Sequence, residues 1–281
     1  MTSIAAFSIF IKAAALFAGW FSGGAVTKSC PYHPFDVTYQ DARSIQESLR
    51  ERIVLSESCV DVDRLRFVGG VDVAFVNSMA SGAVNSDDPG NYQKNGKTAV
   101  FADVSTRAVA AVIVYDIVKR QIVETAYSSA PAYFPYVPGY LSFREGHAVL
   151  RAIGELSRLP EVIIYDGCGI AHPRGLGLAS HMGLLTGIPS VGCAKSRLCG
   201  TCDELGIYKG AWTDLVLRGV VRGCCLRTRK SVKPVYVSPG VGMGIENSRQ
   251  LVDLLAHTYR LPKATRLAHK YVTKYKKHFA S

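Results

Sequence analysis

Leu65-Arg-Phe-Val-Gly-Gly-Val-Asp-Val-Ala-Phe75 is the stretch on which the fold turns. Its β-branched and aromatic residues read as a strand, and Asp72 stands inside it between Val71 and Val73. Downstream, the polar run Asn77 to Lys97, with Asp88-Pro-Gly90 and Asn95-Gly96, reads as a loop. Ala108 to Ile117 and Gln121 to Tyr127 are two further strands with a tight connection, so the chain opens as an antiparallel three-strand meander. The pattern then changes. Ser142 to Leu156 is helical, Glu161 to Asp166 is a short buried strand ending at a carboxylate, and the Gly-rich helical segment Gly175 to Leu185 leads to a strand at Ser190 to Ala194. Leu215 to Val221 and Val235 to Ser238 add strand signal, and Glu246 to His257 closes with a helix. Upstream, Ile45, Leu49 and Ile53 recur at four-residue spacing and predict an amphipathic helix over Asp36 to Glu57.

Three antiparallel strands followed by alternating helix and strand predict an α/β fold: a mixed sheet with helices on both faces, close to the ribonuclease H-like pattern. No internal repeat or linker follows residue 40, so residues 36–270 are expected to form a single domain with a basic tail over 271–281. A chain of 281 residues, 48% hydrophobic and 20% charged, can bury a full core without disulfides or a structural metal. Collagen, coiled-coil and polytopic membrane classes are excluded. Eight cysteines at irregular spacing are too few for a disulfide scaffold and read as mostly reduced thiols of an intracellular protein, in cytoplasm or nucleus. Cys199-Gly-Thr-Cys202 with Cys224-Cys225 offers four thiols, but adjacent cysteines chelate one Zn²⁺ poorly. Residues 1–35 contain no acid and an apolar run at Ala13 to Val26; they are set aside as an organelle-targeting segment or N-terminal extension. The run is short for a membrane span, and no stable membrane partner is expected.

The charge is uneven. Leu215 to Ile245 holds six basic residues and no acid, and Leu254 to Ser281 holds seven more, again with no acid. These segments carry +13 of a formal net charge of +11, which leaves −2 for the rest of the chain. A nearly neutral body with a basic C-terminal third is the footprint expected of a polyanion binder, although a solvated basic face would have the same composition.

Carboxylates stand where they are costly. Asp72 interrupts an apolar strand, so it must be paired, hydrogen-bonded or metal-bound. Asp166 ends the strand Val162-Ile-Ile-Tyr165, and strand ends of open α/β sheets are where sites are built. With a third carboxylate from a helix they would form a hard oxygen cage suited to Mg²⁺ or Mn²⁺. Glu145 is the candidate, but Ser142-Phe-Arg-Glu145 also has the spacing of a helix capping box, which would explain both residues locally.

Phe134-Pro-Tyr-Val-Pro-Gly-Tyr-Leu-Ser-Phe-Arg-Glu145 resembles endonuclease V, the inosine-directed nucleases. The likeness continues through Tyr165-Asp-Gly-Cys-Gly-Ile-Ala-His-Pro-Arg-Gly-Leu-Gly-Leu-Ala-Ser-His181, Ile188-Pro-Ser-Val-Gly-Cys-Ala-Lys-Ser-Arg-Leu-Cys199, Val235-Tyr-Val-Ser-Pro-Gly240 and Tyr259-Arg-Leu-Pro262. It spans Leu65 to Ala268 with the blocks in order. The resemblance implies a ribonuclease H-like catalytic domain and Mg²⁺-dependent hydrolysis of the second phosphodiester bond 3′ to a deaminated purine, in DNA or single-stranded RNA. The implied roles are nucleic-acid repair or turnover of inosine-containing RNA, carried out by a monomer. It implies that Asp72, Glu145 and Asp166 bind the metal, that Lys195 stands beside the scissile phosphate, and that His172 lies near the active site. Tyr136, between Pro135 and Pro138, matches the wedge that fills the gap left by the damaged base, and Gly139 and Leu141 match positions whose backbone lines the base pocket.

Two positions depart from the family pattern. Cys168 stands where histidine is common after Asp-Gly, and Val241 where histidine is common after Ser-Pro-Gly. The second departure would remove an active-site side chain, so histidine at 241 is expected to raise activity. A competing expectation is a catalytically impaired nucleic-acid-binding homologue that kept the fold and the basic surface.

Overall fold

β1 (Phe67–Asn77) lies near the centre of the sheet, and its neighbours are added on either side. The computed structural model describes residues 33–53, 60–77, 91–94, 97–100 and 106–279. β1 pairs antiparallel with β4 (Thr106–Asp116), and β4 with β5 (Gln121–Pro131). On its other edge β1 pairs parallel with β6 (Val162–Tyr165), which pairs parallel with β7 (Ser190–Ala194). Antiparallel pairing then adds β10 (Val235–Pro239), β9 (Val220–Leu226) and β8 (Trp212–Leu217). β2 (Asn91–Lys94) and β3 (Lys97–Val100) pair antiparallel as a separate two-stranded sheet. The large sheet therefore has the order β5-β4-β1-β6-β7-β10-β9-β8, with the expected meander at one side of a mixed sheet.

Alternation along the strands sends side chains into two layers. Val71, Ile163 and Tyr165 point into the core shared with α2 (Leu141–Gly154) and α3 (Leu178–Thr186), which α1 (Tyr39–Arg50) joins through Ala42. Val68, Val162, Ile164, Val191 and Cys193 point the other way, to α4 (Ile245–Leu255). On that second face α5 (Lys263–Tyr275) covers Val109 and Ala111 of β4 with Val272. Each fully buried large apolar side chain contributes about 1.5–3 kcal/mol, so the helices are held by these faces more than by propensity. Gly70 accounts for the glycines inside β1: a Cβ there would fall 2.2 Å from the Ala264 carbonyl carbon, so α5 sits directly on the strand. Among the described residues no helix is long and apolar enough to cross a membrane.

Several elements differ from the reading of the sequence. Leu215 to Val221 is not one strand but the turn of the β8–β9 hairpin. Arg218 and Gly219 adopt φ of 53° and 74°, the positive pair that a two-residue hairpin turn needs. Part of the expected loop at Asn77 to Lys97 is strand β2, while 78–90 lie outside the described residues. The first helix starts at Tyr39, capped by Thr38, whose Oγ1 accepts from the Asp41 amide at 3.1 Å, and ends at Arg50. The basic segment after 254 contains α5, and a 3-10 turn (Lys276–Phe279) follows it, so most of 271–281 is helical rather than tail. Of residues 1–35, those before 33 lie outside the described residues, whereas His33 and Phe35 are buried in the core.

Candidate active site

The site arises where strand pairing stops. β6 ends at Tyr165, opposite Val71, while β1 runs on to Asn77, and among the described residues β4 alone pairs it over that length. A slot opens beyond the end of β6. Asp72 is the first β1 residue past the last β1–β6 pair, and Asp166 is the first residue after β6. Glu145 enters from the second turn of α2. All three carboxylates line one cavity of about 280 Å³ with Lys195, His269, Thr273 and Lys276.

Two nitrogen donors face these carboxylates. His269 on α5 donates from Nδ1 to Asp72 Oδ2 at 2.9 Å, and the Lys195 ammonium, just past the end of β7, donates to Asp166 Oδ2. Burial raises the Asp72 pKa, opposed by the His269 bond and aided by the charge of Asp166. Glu145 is raised well above the usual carboxylate range, first by burial and then by the charges of Asp72 and Asp166. Burial works against the charge on Lys195, but its bond to Asp166 and the charges of Asp166 and Asp72 outweigh that and hold it firmly protonated. Among the described residues no three His, Cys, Asp or Glu side chains already stand in a ligating arrangement; Asp72 and Asp166 each lean toward a nitrogen donor.

The capping-box explanation of Glu145 does not hold. The N-cap of α2 is Tyr140, with no side-chain cap, and Ser142 lies inside the helix. The Ser142 hydroxyl instead donates to His181 Nδ1 at 2.8 Å, and His181 Nε2 meets His33 Nε2 at 2.6 Å. His33 Nδ1 donates to the Pro34 carbonyl at 2.7 Å, which fixes the proton between the two rings on His181. This buried chain ties the first turn of α2, and hence Glu145, to α3.

A second cavity, of about 250 Å³, shares Asp166, Leu178 and Lys195 with the first and is lined by Tyr136, Gly139, Leu141, Cys168 and His172. Tyr136 is 69% exposed on its rim. Gly139, at φ 87°, turns its carbonyl inward onto three donors: Gln46 Nε2 at 2.9 Å, His172 Nε2 at 2.9 Å and Arg174 Nη2 at 2.8 Å. Arg174 also donates from Nε to Gln46 Oε1 at 2.5 Å and lies over the Tyr140 ring, 4.1 Å from its centre. His172 Nδ1 accepts from the Arg174 amide at 3.2 Å, so both ring nitrogens are committed. Burial, then the Arg174 charge, lowers the His172 pKa to about 4, and burial pushes the Cys168 thiol up to about 12. His172 is therefore neutral and holds the Gly139 turn rather than the carboxylates.

Val241 is not part of the carboxylate cluster. Its amide donates to Ser190 Oγ at 3.0 Å and its carbonyl accepts from the Ser190 amide at 2.9 Å, at the start of β7. Lys195 and Asp166 lie at the other end of that strand pair. This placement gives a histidine at 241 no carboxylate within the cluster to orient, which removes the physical reason for expecting it to raise activity. The histidine that faces a site carboxylate is His269, which the sequence reading missed; the family likeness quoted above stops at Ala268, one residue short. The signal that could have found it was the burial period of Ala264, Ala268 and Val272, which makes 263–275 a packed helix.

The family model of Endonuclease V matches residues 90–270. Endonuclease V of Trichormus variabilis is 40% identical over 238 residues, covering 85% of this chain and 95% of that protein. That of Gloeobacter violaceus is 41% identical over 244 residues, covering 86% and 88%. The crystal structure of Endonuclease V from Streptomyces avermitilis superposes with a TM-score of 0.72 at 32% identity, covering 88% of this chain and 96% of that one. With a matching fold and likeness along nearly the whole length of these relatives, the chain belongs to the endonuclease V family and is a nuclease.

Proposed function

We propose that the protein hydrolyses the second phosphodiester bond 3′ to inosine, in DNA or single-stranded RNA. Asp72, Glu145 and Asp166 would hold Mg²⁺, with Mn²⁺ as a substitute. The observation that carries this reading is the convergence of three carboxylates, from β1, α2 and the end of β6, on one cavity beside the Lys195 ammonium. Their oxygens suit a hard divalent cation, and the Glu145 pKa, raised first by burial and then by the charges of Asp72 and Asp166, reflects negative charge that such a cation would offset. When bound, the ion supplies polarisation of the phosphoryl oxygen and a more acidic water.

The chain's own residues do the rest. His269 orients Asp72 by its hydrogen bond. Lys195 offers a fixed positive charge to the phosphate as negative charge builds on it. Tyr136 on the rim can replace the stacking of a base withdrawn into the neighbouring cavity. Leu141 and Gly139 shape that cavity; the Gly139 carbonyl is taken by three internal donors, so its part is shape rather than acceptance of a bond from the base. His172 acts as a positioning residue for the same turn. The competing reading of an impaired homologue rested on Val241, and its placement removes that ground. The acting species is taken to be the monomer.

Matched DNA and RNA oligonucleotides with inosine or adenosine at one position test the reading in the presence of Mg²⁺. Cleavage two bonds 3′ to inosine, absent from the adenosine strands, is expected. Asp72→Asn and Asp166→Asn should each abolish cleavage, weaken Mg²⁺ binding measured by calorimetry, and leave strand affinity largely intact. Near wild-type rates in either variant, or equal cutting of adenosine strands, would overturn it.

A further inference from the structure

The two cavities meet at Asp166 and Lys195, and this gives the site a direction. It runs from the exposed Tyr136 rim, past the carboxylates, to His269, Thr273 and Lys276 of the C-terminal helical segment. α5 buries Ala264, Thr265, Ala268 and Val272, while His269, Lys270, Thr273, Lys274 and Lys277 are exposed. Spacings of one, three and four place these exposed residues along one side of the helical segment. No acid follows Asp253, so nothing in the last part of the chain neutralises that row. The row is also rigid. Tyr275 stacks on Tyr127 of β5 with ring centres 4.2 Å apart, and the start of α5 sits on Gly70.

We propose that this face of α5 and of the 3-10 turn after it carries the nucleic-acid strand on the 3′ side of the cut. The inference rests on the function proposed above, with the deaminated base in the Tyr136-rimmed cavity and the cut bond 3′ to it. The strand then runs 5′ to 3′ from Tyr136 past Lys195 and leaves along Lys270, Lys274 and Lys277. From Lys270 to Lys277 the helical rise spans roughly 10 Å, and the three lysines along it can each meet a phosphate of the passing strand. The enzyme is thereby built for internal sites with several nucleotides downstream rather than for inosine near a 3′ end.

The test uses single strands with inosine in a fixed context and either two or twelve nucleotides beyond the cut, with a second pair varied only on the 5′ side. Lys270, Lys274 and Lys277 line neither cavity, so the triple change to Ala leaves the carboxylates and Lys195 in place. The unsubstituted protein should bind the long 3′ substrate more tightly than the short one. The triple variant should lose roughly 10-fold affinity for the long 3′ substrate, with a salt slope shallower by about 2, and match the unsubstituted protein on the short one. Its kcat should not change. Equal losses on both 3′ lengths, or a loss that follows 5′ length, would overturn the proposal. Lys274→Glu, with melting measured alongside, gives the same readout should the triple variant be unstable. Failure of the functional reading is seen separately, as no inosine-dependent cleavage by the unsubstituted protein on any strand.

Discussion

Asp72 and His269 are 197 residues apart in sequence and 2.9 Å apart in the fold, and their pairing decides how Asp72 presents its second oxygen. His269→Ala removes that restraint. Losses of this kind typically cost about 10–100-fold in metal affinity or activity. The expected result is a rate deficit that is largest at low Mg²⁺ and shrinks as Mg²⁺ is raised, read from single-turnover rates across a titration. His269 is 64% exposed, so the melting temperature should hardly move; a deficit independent of Mg²⁺ would assign the residue another part. At Tyr136 the reasoning concerns stacking. Loss of the ring should weaken binding to inosine-containing strands by about 1–3 kcal/mol while leaving undamaged strands little affected. Equal weakening on both strands would make Tyr136 a structural residue.

At the scale of elements, the Tyr136–Gly139 turn is held from α1 and from the loop after β6, through Gln46, His172 and Arg174. Gln46→Leu removes the donor to the Gly139 and Leu176 carbonyls and the acceptor for Arg174 Nε. Leaving these buried groups short of partners should cost about 1–3 kcal/mol of stability, measured by urea unfolding. It should also lower discrimination between inosine and adenosine more than it lowers kcat, because the turn lies in the base-side cavity. A loss confined to kcat would contradict that placement. The meander β1, β4 and β5 was legible from its β-branched runs, and Asp72 and Asp166 were legible because a carboxylate in an apolar strand or at its end has few cheap explanations. The β8–β9 hairpin was not, because Val216, Leu217, Val220 and Val221 read straight through a turn marked only by Arg218-Gly219. α5 was hidden for the opposite reason: its lysines dominate the composition, while the face that packs is made of Ala, Thr and Val. His269 went unseen with it, since a histidine on a basic helix carries no sign of a partner so distant in sequence.

Across the whole molecule, the interior holds several histidines that resist protonation. Burial lowers the pKa of His33, His172 and His181, with His172 at about 4. A folded pKa below the unfolded value of 6.5 means that the group binds more protons in the unfolded chain, for His172 between roughly pH 4 and 6.5, so the stability it contributes is lost as pH drops through that window. His172 alone accounts for on the order of 2 kcal/mol at pH 5. Glu145 and Asp72, whose pKa values burial raises, act in the opposite sense, so the histidine contribution is read as a difference: between about pH 7.5 and 5 the urea midpoint of His172→Gln should rise relative to that of the parent protein, and a constant gap would refute this. The slot beyond the end of β6 has a consequence for timing. Asp72 belongs to β1 of the large sheet, Glu145 to a helix on one face, and His269 to α5 on the other. A chain emerging from the ribosome can pair its meander and dock α2 well before α5 has been made. Until α5 docks, Asp72 lacks its histidine and the slot lacks one wall, so the complete site comes into being only after α5 has been made. A nascent chain that has not yet reached α5 therefore carries Asp72 and Glu145 without the side chain that orients one of them and without the helix that walls their slot.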